Sequence, residues 1–70
     1  MPDECRIRVN GKEQAIAFGT SVADLLRLLG YPEKAVLVEL NQEVIPRREW
    51  ADRQLEPDDS MEILRVVAGG

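Results

Sequence analysis

Histidine is absent from this chain of 70 residues, and Cys5 is its only cysteine. These absences exclude a disulfide framework, a zinc cluster and a Ser–His or Cys–His nucleophile pair within one chain. Aromatic side chains are also scarce, with one Phe, one Tyr and one Trp. At this length we expect a single domain whose stability comes from the packing of a small core.

The chain also lacks a long apolar run and an excess of positive charge. No stretch approaches the ~20 apolar residues of a transmembrane helix, and the acidic start has none of the features of a signal peptide. Nine Lys and Arg stand against thirteen Asp and Glu, which gives a net charge of −4. Since phosphate binding needs a basic face, nucleic acid is not an expected partner. We therefore expect a cytoplasmic protein that binds neither nucleic acid nor membrane.

The first segments of the chain predict a β-hairpin. Residues 5–9 alternate apolar and charged side chains, as a half-buried strand does. The Asn-Gly dipeptide that follows is a strong signal for a type I′ turn. The return strand, over 13–18, should place Ile16 and Phe18 on the same face.

One helix is predicted between residues 21 and 30. Ser21 suits the N-cap position, and Asp24 can complete a capping box three residues later. Gly30 suits the left-handed residue that ends a helix. The spacing i, i+3, i+4 and i+7 predicts one apolar stripe, made by Val22, Leu25, Leu26 and Leu29. Because a helix this short is marginal alone, it should lie across a sheet.

Three further strands are predicted in the second half of the chain, over 35–40, 44–45 and 60–67. A helical turn and loop over 47–55 should be anchored in the core by Trp50 and Leu55. The order strand, strand, helix, strand, strand, strand indicates an α+β fold with about five strands and one main helix across one face.

The end of the chain carries its one unusual feature. The last three residues, Ala68, Gly69 and Gly70, should form a flexible tail on a domain that spans residues 1–67. Glycine has no Cβ, so such a tail can thread a narrow channel. Its reactive group is the carboxylate of Gly70, which becomes an acyl electrophile only after activation, for example by adenylation with ATP. The alternative is a chain end without a function.

Three segments of the sequence together resemble a known family. They are the helix at 21–30, the run VELNQEVIPRREW at 38–50 and the ending MEILRVVAGG at 61–70. Each resembles the corresponding part of the ThiS family of thiamine-biosynthesis sulfur carriers. The resemblance implies a ubiquitin-like β-grasp fold with a mixed sheet. The chain departs from the family at Gln42 and Asp58, where relatives commonly carry glycine.

The resemblance also implies a chemistry for the tail. An adenylyltransferase of the ThiF type would activate Gly70 with ATP and magnesium, and a sulfur donor fed by a cysteine desulfurase would convert the adenylate into a thiocarboxylate. The sulfur would then pass to a thiazole synthase of the ThiG type. Gly69 and Ala68 would let the tail enter both partners. The chain would be a cosubstrate, with no catalytic residue, no metal site and no bound cofactor.

Three alternatives to this function remain open. The same tail chemistry could supply sulfur for molybdopterin or another metabolite. A ubiquitin-like modifier would instead join Gly70 to lysine side chains of other proteins. A β-grasp binding module would carry the terminal Gly-Gly without using it.

A candidate docking surface follows from the strand alternation. If the third and last strands are neighbours, Leu37, Leu64 and Val66 lie on the face away from the helix and form an exposed apolar patch beside the tail. The patch would seat both partner enzymes. The alternative is that these are scattered surface residues.

The other residues with chemical potential have structural interpretations. Cys5 alternates with inward-facing residues, so we expect a buried thiol. The acids at 58–59 should be solvated in a turn. Trp50 should cap one end of the core, and the arginines at 47–48 should pair with nearby carboxylates.

Overall fold

The Asn-Gly dipeptide closes the hairpin that the sequence predicts. In the computed structural model, which describes residues 3–66, strands β1 (Glu4–Val9) and β2 (Lys12–Ala17) pair antiparallel. Asn10 and Gly11 have φ angles of 51° and 81°, the positive values that a type I′ turn needs at both central residues. The turn chemistry therefore sets the register of this hairpin.

Helix α1 (Val22–Leu29) begins and ends at the predicted residues. The Ser21 Oγ accepts a hydrogen bond from the Asp24 backbone N–H at 3.0 Å, and the Ser21 backbone N–H donates to the Asp24 carboxylate at 3.3 Å. This reciprocal pair is the capping box. Gly30 follows in the left-handed conformation, with φ 82°.

The second half of the chain completes a five-stranded sheet in the order β2-β1-β5-β3-β4. The added strands are β3 (Val36–Leu40), β4 (Glu43–Val44) and β5 (Ser60–Arg65). Strand β5 is parallel to β1 and antiparallel to β3, so the sheet is mixed. A mixed sheet with one helix across one face confirms the predicted α+β, β-grasp architecture. The predicted domain boundary at residue 67 lies outside the described residues.

The core lies between α1 and one face of the sheet. Its buried side chains are Cys5, Ile7, Val9, Ile16, Val22, Ala23, Leu25, Leu26, Val36, Val38, Leu40, Ile45, Trp50, Leu55, Met61 and Ile63. Among residues 3–66, no helix is long and apolar enough to cross a membrane. We call the sheet face that α1 does not cover the outer face.

Two apolar side chains of the predicted patterns are exposed. Phe18 is exposed although Ile16 is buried, because β2 ends at Ala17 and the chain turns at Gly19. Leu29 is also exposed, because it is the last residue of the helix. Ala23 is buried instead, and its backbone N–H donates to the Trp50 carbonyl at 3.1 Å, so the loop after β4 covers the start of the helix.

The structure also differs from the predicted strand limits. The segment predicted to start a strand at residue 35 begins with a 3₁₀ turn over Glu33–Ala35. Strand β4 is one residue earlier than predicted, and Ile45 follows it as a buried residue. Strand β5 ends at Arg65, before the predicted end.

Candidate functional site

The predicted acyl site lies at the end of the chain. Gly70, and the predicted threading residues Gly69 and Ala68, lie outside the described residues. The described part of the site is therefore the end of β5, from which the chain continues toward Gly70. We call Arg65 and Val66 the tail root.

The tail root is held to the sheet and to the end of the helix. The Val66 backbone N–H donates to the Ala35 carbonyl at 2.8 Å, which extends the β3–β5 ladder by one pair. The Arg65 guanidinium lies 5.6 Å from the centre of the Tyr31 ring, a distance suited to a cation–π contact. The chain is thus fixed in direction up to Val66.

Strand β5 also has support where β1 stops. The paired residues of β1 and β5 end at Val9 and Met61, so the following N–H groups of β5 need another partner. The Asn10 Oδ1 atom accepts a hydrogen bond from the Ile63 backbone N–H at 2.7 Å. Asn10 therefore serves both the hairpin turn and the strand that leads to the tail. Sequence reasoning found only the turn, because the second role depends on the parallel pairing.

The predicted docking patch lies on the outer face next to the tail root. Leu37 and Leu64 are direct cross-strand partners in the β3–β5 ladder, and their exposed fractions are 50% and 45%. Val66 is 47% exposed. The neighbouring Val38 and Ile63 point into the core. The structure therefore brings the patch residues together as expected, while their role in docking stays a prediction.

Three further residues of the outer face lie beside the predicted patch, which did not include them. Glu39 and Glu62 are direct partners in the β3–β5 ladder, one pair away from the leucines on the same face. Val44 is the partner of Glu39 on its other side and is 59% exposed. The sequence assigned Val44 to a strand but could not give its register, which decides these neighbours.

The other residues that the sequence analysis singled out are explained by burial in the core or by contacts at the surface. Cys5 is buried, as predicted. The Trp50 side chain is buried and its Nε1–H donates to the Ile45 carbonyl at 2.8 Å. Arg48 lies 3.9 Å from Glu49 at the surface.

The predicted solvation of both acids at 58–59 holds for only one of them. Asp58 is exposed, whereas Asp59 is half-buried. The Asp59 carboxylate accepts hydrogen bonds from the Glu56 backbone N–H at 2.8 Å and from the Asn41 side chain at 3.0 Å. Asp59 therefore stabilises the turn before β5.

No catalytic constellation is present in the described part of the chain. Within residues 3–66, no group of three His, Cys, Asp or Glu side chains is placed to hold a metal ion. An open groove beside the tail root is lined in part by Lys12, Tyr31 and Arg65. These side chains can bind but offer no nucleophile paired with a base. The described residues therefore offer binding groups beside the tail root.

Known proteins are similar to this chain in sequence and in fold. Residues 7–70 match the ThiS family. The sulfur carrier protein ThiS of Escherichia coli strain K12 is 29% identical over 65 residues, which cover 93% of this chain and 98% of that protein. The crystal structure of the thiamine biosynthesis protein ThiS from Geobacter metallireducens is 32% identical, with a TM-score of 0.80, and the match covers 93% of this chain and 99% of that one.

The chain is also similar to one part of a larger protein. Over 65 residues it is 31% identical to a protein of Paramagnetospirillum magneticum named thiazole synthase, and 32% identical to one of the same name from Magnetococcus marinus. The match covers 93% of this chain but 20% of each of those proteins. A domain similar to this chain is therefore part of polypeptides that carry that name.

Proposed function

The chain belongs to the ThiS family, and on that premise we propose that it is a cytoplasmic sulfur carrier for thiamine biosynthesis. Its reactive group is the carboxylate of Gly70, which is converted to a thiocarboxylate and so carries the sulfur. The observation that carries the proposal is the extent of the family match, which runs over residues 7–70 and includes the terminal Gly-Gly.

The proposed loading reaction needs activation of Gly70. A carboxylate is a poor electrophile because its oxygen leaves badly. Attack of the Gly70 carboxylate on the α-phosphorus of ATP releases pyrophosphate and gives an acyl-adenylate. A persulfide on a donor that a cysteine desulfurase feeds then adds through its outer sulfur to the carbonyl carbon, and AMP leaves as the C–O bond breaks. A thiol reductant cleaves the S–S bond of the resulting acyl disulfide and is itself oxidised to a disulfide, which leaves the thiocarboxylate on Gly70.

ATP and magnesium belong to the partner in this proposal. An adenylyltransferase of the ThiF type binds them and performs the activation, while the chain acts as a protein cosubstrate and not as an enzyme. This division of labour is supported by the described residues, which present binding surfaces beside the tail root. Gly69 and Ala68 are proposed to let Gly70 enter the partner's active site, because small residues pass where larger ones would clash.

The proposed sulfur acceptor is a thiazole synthase of the ThiG type. The similarity of this chain to one part of proteins named thiazole synthase supports a physical association between the two. A thiocarboxylate is a better nucleophile than a carboxylate, which suits sulfur donation. We propose that the patch formed by Leu37, Leu64 and Val66 seats both enzymes while the tail enters their active sites.

Intact mass spectrometry tests the sulfur-carrier proposal. The chain is incubated with ATP, magnesium, the adenylyltransferase of its own organism and a cysteine desulfurase with cysteine. We expect a mass gain equal to the difference between sulfur and oxygen. A variant lacking Gly70 serves as the control and should gain nothing, because it has lost the glycine that is activated.

Two other results would contradict the proposal. Adenylation followed by conjugates that survive denaturing, reducing gels would indicate a protein modifier. No mass change, with an adenylyltransferase shown to be active on another carrier, would indicate a binding module whose Gly-Gly is not used.

A further inference from the structure

Two carboxylates face each other on the outer face of the sheet. Glu39 of β3 and Glu62 of β5 are direct partners in the antiparallel ladder. Opposite residues in an antiparallel ladder alternate between hydrogen-bonded and non-hydrogen-bonded pairs. The backbone hydrogen bonds from Val66 to Ala35 and from Asn41 to Ser60 show which pairs are bonded. Glu39 and Glu62 are therefore a hydrogen-bonded pair, whose Cα atoms are about 5.5 Å apart.

This pairing is unfavourable for the isolated domain. Like charges directly opposite each other destabilise a sheet, and Glu39 is half-buried, which weakens its solvation. The ion pairs within residues 3–66 join Arg6 to Glu13, Arg27 to Asp24 and Arg48 to Glu49. None of these cations neutralises the Glu39–Glu62 pair.

Exposed apolar side chains flank the two carboxylates on two sides. Val44 lies beside Glu39 in the same row of the sheet, and Leu37 and Leu64 form the next row of this face toward the tail root. An exposed apolar patch is a common feature of docking surfaces. When a partner covers it, water is excluded and charge interactions at its edge become stronger.

We propose that the Glu39–Glu62 pair receives one arginine of the thiazole synthase, while apolar side chains of that enzyme cover Val44, Leu37 and Leu64. This inference rests on the proposed function and adds the chemistry of the partner's surface. A guanidinium has donors on more than one edge, so a single arginine can bond both carboxylates across this separation. The net charge of −4 favours approach of such a basic surface.

The proposal predicts that binding and stability respond in opposite directions to one substitution. Glu62→Lys places an ammonium group opposite Glu39, which replaces repulsion by attraction within the sheet. The thermal midpoint of the free chain should therefore stay equal to that of the wild type or rise. The same substitution repels the partner's arginine, so the affinity for thiazole synthase should fall by more than the ~10-fold expected of a neutral variant.

Binding is measured by isothermal titration calorimetry of the full chain against thiazole synthase from the same organism. The neutral variants Glu39→Gln and Glu62→Gln should each weaken binding by about tenfold. The effects should not multiply in the double variant, because one arginine serves both groups. Glu56→Lys and Glu56→Gln are matched controls at an exposed acid in the loop before β5, and their affinities should stay within about twofold of the wild type.

Sulfur loading, followed by intact mass on the same variants, separates this inference from the proposed function. If the wild type gains no sulfur, the carrier function itself is wrong. If Glu62→Lys loads sulfur and binds thiazole synthase as the wild type does, the assignment of the Glu39–Glu62 pair is wrong while the carrier function stands. If Glu62→Lys loses loading but keeps its affinity for thiazole synthase, the pair serves the adenylyltransferase and the proposed occupant is wrong.

Discussion

Within residues 3–66, four residues other than glycine have a positive φ, the conformation that favours glycine, and two of the four are not asparagine. Gln42 in the β3–β4 turn and Asp58 in the turn before β5 both have φ 71°, and these are the positions where the sequence departs from the family resemblance. The left-handed region costs an ordinary L-residue about 1–2 kcal/mol, while Asn and Asp tolerate it better. The strain should therefore be larger at Gln42 than at Asp58.

Replacement of Gln42 by glycine should stabilise the domain. We expect Gln42→Gly to raise the free energy of unfolding by about 0.5–1 kcal/mol, since the relief of strain exceeds the added entropy of the unfolded chain. Urea unfolding followed by circular dichroism measures this change. Gln14→Gly, in β2 and without positive φ, is the matched control and should destabilise. If both glycine variants lose stability, the positive φ at Gln42 is not a source of strain.

Helix α1 depends on a carboxylate at its first turn. The hydrogen bond from the Ser21 backbone N–H lowers the pKa of Asp24 below its ordinary value of 3.8, and contacts with the Ser21 side chain and Arg27 lower it further. Arg27 lies 3.3 Å from the Asp24 carboxylate. The folded state thus prefers the ionised form, which also suits the positive end of the helix.

This preference predicts a pH dependence of stability. The lowered pKa means that the contribution of Asp24 is complete above pH 3.8, the ordinary value, and is lost as the pH falls through the folded pKa. Asp24→Asn should be less stable than the wild type at neutral pH, because an amide is a weaker acceptor at this end of the helix. The gap should narrow below pH 3.8. Thermal midpoints of both proteins measured across this range check it, and a constant gap would contradict it.

The elements that were predicted well are those with local signals. The Asn-Gly turn, the Ser21 cap and Gly30 each act through neighbours in sequence, so the hairpin and helix follow from the residues themselves. The exposure of Phe18 and the burial of Ala23 were not predicted, because they depend on where a strand stops and on which loop covers the helix. These features belong to the tertiary structure, and the side-chain periods of 2 in strands and 3.6 in helices do not predict them.

The features of the candidate site also divide into those with a local sequence signal and those that depend on tertiary structure. Alternation alone placed Leu37 and Leu64 on the outer face, because the side-chain period of a strand is fixed. The opposition of Glu39 and Glu62 depends on the register between two strands that are distant in sequence. One sequence does not give that register. The prediction that Gly70 is the acyl site rests on the chemistry of a carboxylate and on the family resemblance, and it stays a prediction.

The two sides of the molecule differ in what they offer to a partner. The side covered by α1 holds the core, while Leu37, Val44 and Leu64 are exposed on the outer face. Val66, in the tail root, is exposed next to them. A partner that binds this face therefore holds the domain close to where the tail begins. Such positioning turns delivery of the tail into an almost unimolecular step.

Leu64→Asp tests whether this face serves both enzymes. Leu64 is 45% exposed, so an aspartate can stay solvated and the domain should stay folded. The lost contact with Leu37 and the added charge near Glu62 should lower the free energy of unfolding by about 1 kcal/mol. A carboxylate within an apolar interface would be desolvated on binding, so the dissociation constants for the adenylyltransferase and for thiazole synthase should both rise by about tenfold or more. Leu28→Asp, at an exposed leucine of α1, is the matched control and should bind both enzymes within about twofold of the wild type.

The affinities of Leu64→Asp for the two enzymes also decide the order in which the carrier binds them. If both affinities fall together, the two enzymes share the outer face and cannot bind it at once, so the carrier must leave the adenylyltransferase before it reaches thiazole synthase. Mixtures of the three proteins should then contain two binary complexes and no ternary complex by size-exclusion chromatography with light scattering. If Leu64→Asp weakens only one interaction and a ternary complex forms, the enzymes bind different surfaces and the shared patch is wrong. Because the tail root lies beside the outer face, we expect competition.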